Sequence, residues 1–139
     1  MYNVILHATD LSSEHYSICE KAADFARHFK AKLYLLHVIE LPASLQLAQG
    51  LGFAEFDRPV SLKVDAQAVM AALGEALDIP LDNQFVEIGS IQQHVLLKLQ
   101  SLAAELLIIG HHTAHNIPAW FESSAHTLVT RAPCNILLL

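Results

Sequence analysis

Five short, strand-sized apolar segments alternate with segments of helical period along the whole chain, and that order constrains the fold more than any other feature. Tyr2–Ala8, Lys32–Ile39, Gln84–Ile88, Leu106–Ile109 and Asn135–Leu139 are apolar and rich in branched side chains. Between them, apolar residues recur at steps of three and four, as one helix face requires. Ile18, Ala22, Phe25, Ala26 and Phe29 mark a helix over 13–31, and Leu62, Ala66, Val69, Met70 and Leu73 mark one over 61–77. Val95, Leu96, Leu99, Leu102 and Ala103 mark a third over 91–104, opened by the turn and N-cap residues Gly89-Ser90. A last helix is predicted over 122–131, ended by Ala132-Pro133. Residues 40–59 carry Pro42, Gly50, Gly52 and Pro59 and read as a long connection, either a lid or partly helical.

Strict strand–helix alternation implies an α/β domain. Its sheet is five-stranded, mostly parallel and open, with right-handed crossovers and helices on both faces. With 139 residues, one domain over 1–139 is expected, enough to bury about two-thirds of the unfolded chain's surface. In such sheets ligands sit beyond the carboxyl ends of the strands, where the strand order reverses. The stretches to watch are Ala8-Thr9-Asp10, Val38–Leu41 and Gly110–Ser124.

Composition narrows the function classes. Fourteen acidic against eight basic side chains give a net charge of −6, a field that repels phosphate backbones and anionic lipid surfaces. Nucleic acid and membrane are therefore not expected partners. No apolar run approaches the ~20 residues of a membrane span, and Met1–Leu6 lacks a basic segment and a cleavage site, so a cytoplasmic protein is expected. Cys19 and Cys134 are too few for a disulfide framework and read as reduced thiols.

The strand ends carry a resemblance. Ile5-Leu6-His7-Ala8-Thr9-Asp10, the His37-Val38 pair, and Ala104-Glu105-Leu106-Leu107-Ile108-Ile109-Gly110-His111-His112 resemble, in order and spacing, blocks of the universal stress protein family. Glu105 stands where aspartate is usual. The resemblance covers essentially the whole chain and implies a Rossmann-like fold of the adenine nucleotide alpha hydrolase type. It also implies a role in stress response without an evident catalytic reaction.

Members that bind ATP close this region with G-x2-G-x9-G-[S/T], in which glycines let the backbone approach phosphates and helix N-terminal amides receive the charge. Here Gly110 and Ser124 match, whereas Thr113 and Ser123 replace the other two glycines. A side chain in a left-handed position costs about 1–2 kcal/mol, and each added Cβ stands where phosphate oxygens belong. The chain therefore resembles the branch typified by universal stress protein A, which lacks the ATP signature. A degenerate nucleotide pocket is implied, formed by Ala8, Thr9, Asp10, Val38, Gly110, His112, Thr113, Ser123, Ser124 and Ala125. No cofactor is expected; ATP or AMP is the alternative. Asp10 and Val38 match positions that line the adenosine side in nucleotide-binding relatives.

Three other readings are weaker. His111, His112, His115 and His126 could form a metal site, but adjacent histidines point apart and no cysteine lies near to complete a tetrahedron, so no metal is expected. Ser12, Ser13, Ser123 and Ser124 lack the G-x-S-x-G elbow of a serine hydrolase and read as helix caps. His7, inside a strand, reads as a hydrogen-bonded core residue. The terminal Ile136-Leu137-Leu138-Leu139 is expected at a sheet edge that needs cover. The family resemblance implies that a second copy provides it across a two-fold axis.

Overall fold

A computed structural model describes residues 1–52, 57–110 and 126–139. The strands are β1 (Val4–Ala8), β2 (Lys32–Ile39), β3 (Gln84–Ile88), β4 (Leu106–Ile109) and β5 (Asn135–Leu138). The helices are α1 (Tyr16–Phe29), α2 (Ala43–Gly50), α3 (Asp57–Leu77) and α4 (Ile91–Leu102), with a further helix, α5, over 126–131. One-turn 3-10 helices precede α1 and β3. The strands form one sheet in the order β3-β2-β1-β4-β5, and all four pairings are parallel.

Side-chain alternation along the strands divides the interior into two cores. Ile5, Leu35 and Ile108 point to one face and pack with Cys19, Ala22 and Ala26 of α1 and Met70 and Leu77 of α3. Leu6, Leu36 and Leu107 point to the other and pack with Val95 and Leu99 of α4 and Leu128 of α5. The central strands are covered on both sides, which is why their sequence is almost unbroken in apolar residues.

The 40–59 connection is partly helical, one of the two forms the sequence left open: it contains α2, seeded where Leu45 and Gln46 amides reach the Pro42 carbonyl. Helix α3 starts at Asp57 and takes Pro59 into its first turn, where the missing N–H has no intrahelical partner to lose. Gly74, which weakens the helical pattern on paper, has a packing reason. A Cβ there would stand 1.9 Å from Gln84 Nε2 and 2.9 Å from the Ile79 carbonyl oxygen, and Gln84 Nε2 itself donates to that oxygen at 2.9 Å. The close approach outweighs the ~1 kcal/mol of helix propensity that glycine forgoes.

Glu105 ties the amino ends of the central strands together. Its carboxylate accepts hydrogen bonds from the Asn3 and Val4 amides and from Asn3 Nδ2. These bonds hold its carboxyl below the usual glutamate range.

Candidate functional site

The strand order turns at β1, which pairs with β2 on one side and β4 on the other. Crossovers leave in opposite directions from this point, so among the described residues a crevice opens at the carboxyl ends of β1, β2 and β4. A cleft of about 490 Å³ lies there, within the range of small-molecule sites. Ala8, Thr9 and Asp10 from β1 and Val38 from β2 line it, together with Ile91 and Val95 of α4, Ile109 of β4 and Leu128 of α5. Glu40 and Leu41, at the end of β2, complete one wall.

The backbone at the mouth is set by local hydrogen bonds. The Thr9 amide continues the sheet by donating to the Leu36 carbonyl at 2.9 Å. The Leu11 amide donates to Thr9 Oγ1 at 3.1 Å and the Ser12 amide to Asp10 Oδ1 at 2.8 Å. These short-range bonds hold Leu11 in the left-handed region, φ 59°, against the steric preference of a residue with a Cβ. The turn lifts Asp10 to the rim, where its Oδ1 lies 3.3 Å from His15 Nδ1. From β2, His37 Nδ1 donates to the Thr9 carbonyl at 2.9 Å. Glu40 accepts from the Ile91 amide at 3.1 Å, so this acid is anchored at the start of α4.

Behind the cleft runs a buried polar chain. His7 is fully enclosed and its Nδ1 lies 3.0 Å from the Ile108 carbonyl oxygen. A carbonyl only accepts, so Nδ1 carries the hydrogen and Nε2 is an acceptor. Nε2 faces Cys19 Sγ at 3.4 Å, and Cys19 Sγ meets Thr9 Oγ1 at 3.6 Å. Burial lowers the His7 pKa from 6.5 to about 4 and pushes the Cys19 thiol up. Both partners therefore stay neutral, and the pair is a structural latch rather than a thiolate–imidazolium nucleophile. This is the hydrogen-bonded core histidine expected from the sequence.

Residues 1–139, the entire chain, match the sequence profile of the universal stress protein family. The chain belongs to that family. Among curated universal stress proteins, universal stress protein A homolog 2 of Coxiella burnetii is 28% identical over 120 residues, 86% of this chain and 82% of the relative. Universal stress protein C of Salmonella typhimurium is 27% identical over 146 residues, 99% and 95% of the two chains. Among solved structures, a universal stress protein in complex with cAMP is similar with a TM-score of 0.62 at 13% identity, over 99% of this chain and 96% of that one. Universal stress protein UspA from Lactobacillus plantarum gives 0.61 at 20% identity, over 99% and 97%. At these identities the structural likeness establishes the fold: the parallel α/β sheet of universal stress proteins.

Of the residues singled out in the sequence of this universal stress protein, Ala8, Thr9, Asp10 and Val38 meet in the cleft. Gly110 lies behind them, where an added Cβ would stand 2.7 Å from Ile18 Cδ1 and 2.8 Å from His15 Cε1. Packing against α1 and its leading turn thus already calls for glycine there, whatever ligand the loop meets. His111, His112, Thr113, His115, Ser123, Ser124 and Ala125 lie outside the described residues. His126 is exposed on α5, and among the described residues no group of three His, Cys, Asp or Glu side chains could hold a metal ion. Nor, among them, is any helix long and apolar enough to cross a membrane.

The expected pocket left out His15, Leu128 and the side chain of His37. His15 sits three residues before Ile18, in the 3-10 turn that leads into α1, so the helical spacing points it inward. His37 is visible only as the neighbour of Val38 on the strand.

Proposed function

We propose that this universal stress protein is a non-catalytic, dimeric binding module whose cleft is a degenerate nucleotide pocket. It holds a nucleoside or nucleoside monophosphate and disfavours a triphosphate. The observation that carries the reading is the lining of the cleft. Its floor is apolar, as a base requires, and Asp10 stands at the rim as an acceptor for ribose hydroxyls. Among the described lining residues the charged side chains are Asp10 and Glu40, with neither lysine nor arginine. Each added phosphate therefore meets charge of its own sign, at a cost on the order of 1 kcal/mol per close pair even in water. Thr113 and Ser123, in place of glycines, remove the flexible backbone that would grip the outer phosphates. The cAMP complex of a structurally similar universal stress protein supports a ligand with a single phosphate. The neutral His7–Cys19 pair supports a structural rather than nucleophilic role for that thiol.

Titration calorimetry with adenosine, AMP and ATP tests this. Adenosine and AMP are expected to bind, and ATP at least about tenfold more weakly than AMP. ATP bound more tightly than AMP would favour an ATP-dependent regulator in its place.

The two sheet edges support the dimer. At the β3 edge, Glu87 lies 4.0 Å from Lys98 Nζ, and that ammonium also covers the Phe85 ring at 3.8 Å. The β5 edge, Asn135–Leu138, carries no charge, and Leu138 is 55% exposed. Natural sheets guard edges with charge, and an uncharged apolar edge matches pairing with a second copy through Ile136, Leu137, Leu138 and Leu139. Sedimentation at tens of micromolar is expected to return two chains per particle for the wild type and one for Leu138→Lys. An unchanged mass in the variant would remove β5 from the interface.

A further inference from the structure

The sheet has a second recess at the end opposite the cleft, on the face that carries α1 and α3. It lies where α1 stops, β2 begins and α3 gives way to the turn before β3, and it measures about 470 Å³. Ala26, Leu33, Leu77 and Ile79, all buried, form an apolar floor. Arg27, Lys30 and Lys32 stand exposed around it. Local hydrogen bonds fix the walls. The Ala31 amide donates to the Ala26 carbonyl and the Ile79 amide to the Gly74 carbonyl, each at 2.8 Å, and Asn83 Nδ2 donates to the Leu33 carbonyl at 3.1 Å.

The charge here runs against that of the chain. Three of the eight basic side chains border this recess in a protein of net charge −6, and among its described lining residues Asp78 is the one acid. Arg27 is paired with Asp24 across one helical turn. Among the described residues, Lys30 and Lys32 have no ion-pair partner. Cations near a helix C-terminus offset the helix dipole, which gives Arg27 and Lys30 a structural use at the end of α1. Lys32 begins β2 and has no helix end to offset.

We propose that this recess docks a short acidic and apolar segment of another protein. One large apolar side chain of that segment fills the floor, and flanking carboxylates meet Lys30, Lys32 and Arg27. Exposed ion pairs are individually weak, so burial of the apolar side chain supplies much of the affinity, while the charges select the partner and speed encounter. A nucleic acid offers the same sign of charge, but its chain extends past the recess into the negative field of the whole protein. A short peptide meets the lysines within about one Debye length, ~8 Å at physiological salt.

The proposal is independent of the nucleoside reading of the cleft. Lys32 and Ile39 are the two ends of β2, about 23 Å apart at the usual rise of a strand. The recess also lies on the β2–β3 side of the sheet, away from β5, so pairing of two copies through β5 would leave it open.

The test is an NMR titration of the whole protein with short synthetic peptides carrying a central Leu-Phe pair flanked by glutamate, glutamine or lysine. The glutamate peptide is expected to shift the amides of Ala26–Leu33 and Leu77–Asn83 with a Kd below about 1 mM, and to weaken severalfold between about 50 and 300 mM salt. Lys32→Glu and Lys30→Glu should each weaken it about fivefold. Lys21→Glu, at an exposed position on α1 outside the recess, makes the same change of net charge and should cost less than about twofold. No shift of these amides at about 5 mM peptide, equal affinity for the glutamine peptide, or equal losses in Lys32→Glu and Lys21→Glu would overturn the proposal. Tighter binding of an oligothymidylate of matching charge would overturn it in favour of a phosphate backbone. Shifts of the same amides on raising the protein concentration alone would overturn it in favour of a second copy of this chain.

Discussion

Between pH 6.5 and pH 4 the folded protein is expected to lose about 3 kcal/mol of stability through one side chain, His7. The unfolded imidazole takes up its proton near 6.5, whereas the buried one resists until about 4. Above 6.5 neither state holds the proton and the full stability is present. As pH falls through the window the unfolded chain binds more protons, so acid favours it; below about 4 both states are charged and the loss is complete. Domains of this kind are stable by about 5–15 kcal/mol, so the loss is a large share. Urea midpoints at about pH 7 and pH 4.5 measure it, with His7→Gln as the comparison because carboxylate titration is common to both proteins. A pH dependence as steep in His7→Gln as in the wild type would show that the proton goes elsewhere.

Leu107→Ala is expected to destabilise the domain by about 2–5 kcal/mol. Leu107 is fully buried on β4, packed among Leu6, Leu36, Val95 and Leu99. These neighbours belong to two other strands and to α4, so the sheet cannot close the void by shifting one side chain. Denaturant unfolding should show a lower midpoint at unchanged slope, since the surface exposed on unfolding is nearly the same. Leu138→Ala, at a position 55% exposed, should move the monomer's stability by no more than about 0.5 kcal/mol. Similar losses at the two positions would contradict the burial assigned to β4.

The fold was legible because its two periods are distinct. Leu33, Leu35 and Leu36 sit in an unbroken apolar strand, and Ile18, Ala22 and Ala26 recur on one helix face, so strand and helix announce themselves locally. What punctuation left open was 40–59: Pro42, Gly50, Gly52 and Pro59 are compatible with a lid or with helix. Because proline is harmless just before a helix or in its first turn, α2 forms there and α3 starts at Asp57, four residues before the expected 61. The cleft was legible where topology alone decides it, at Ala8-Thr9-Asp10 and Val38. It was not legible where tertiary packing decides: Leu128 arrives from α5, more than a hundred residues beyond Thr9, and His15 joins Asp10 only because a 3-10 turn, Ser13–His15, swings it back toward β1.

The unequal borders of the sheet bear on how far the proposed dimer could associate further. In that dimer the β5 side is taken by the second copy, while the β3 side is guarded by the Glu87–Lys98 charges. Pairing through β5 alone closes at two and does not propagate into a filament, so a cell under stress could accumulate such a dimer to high concentration without sheet edges seeding fibres.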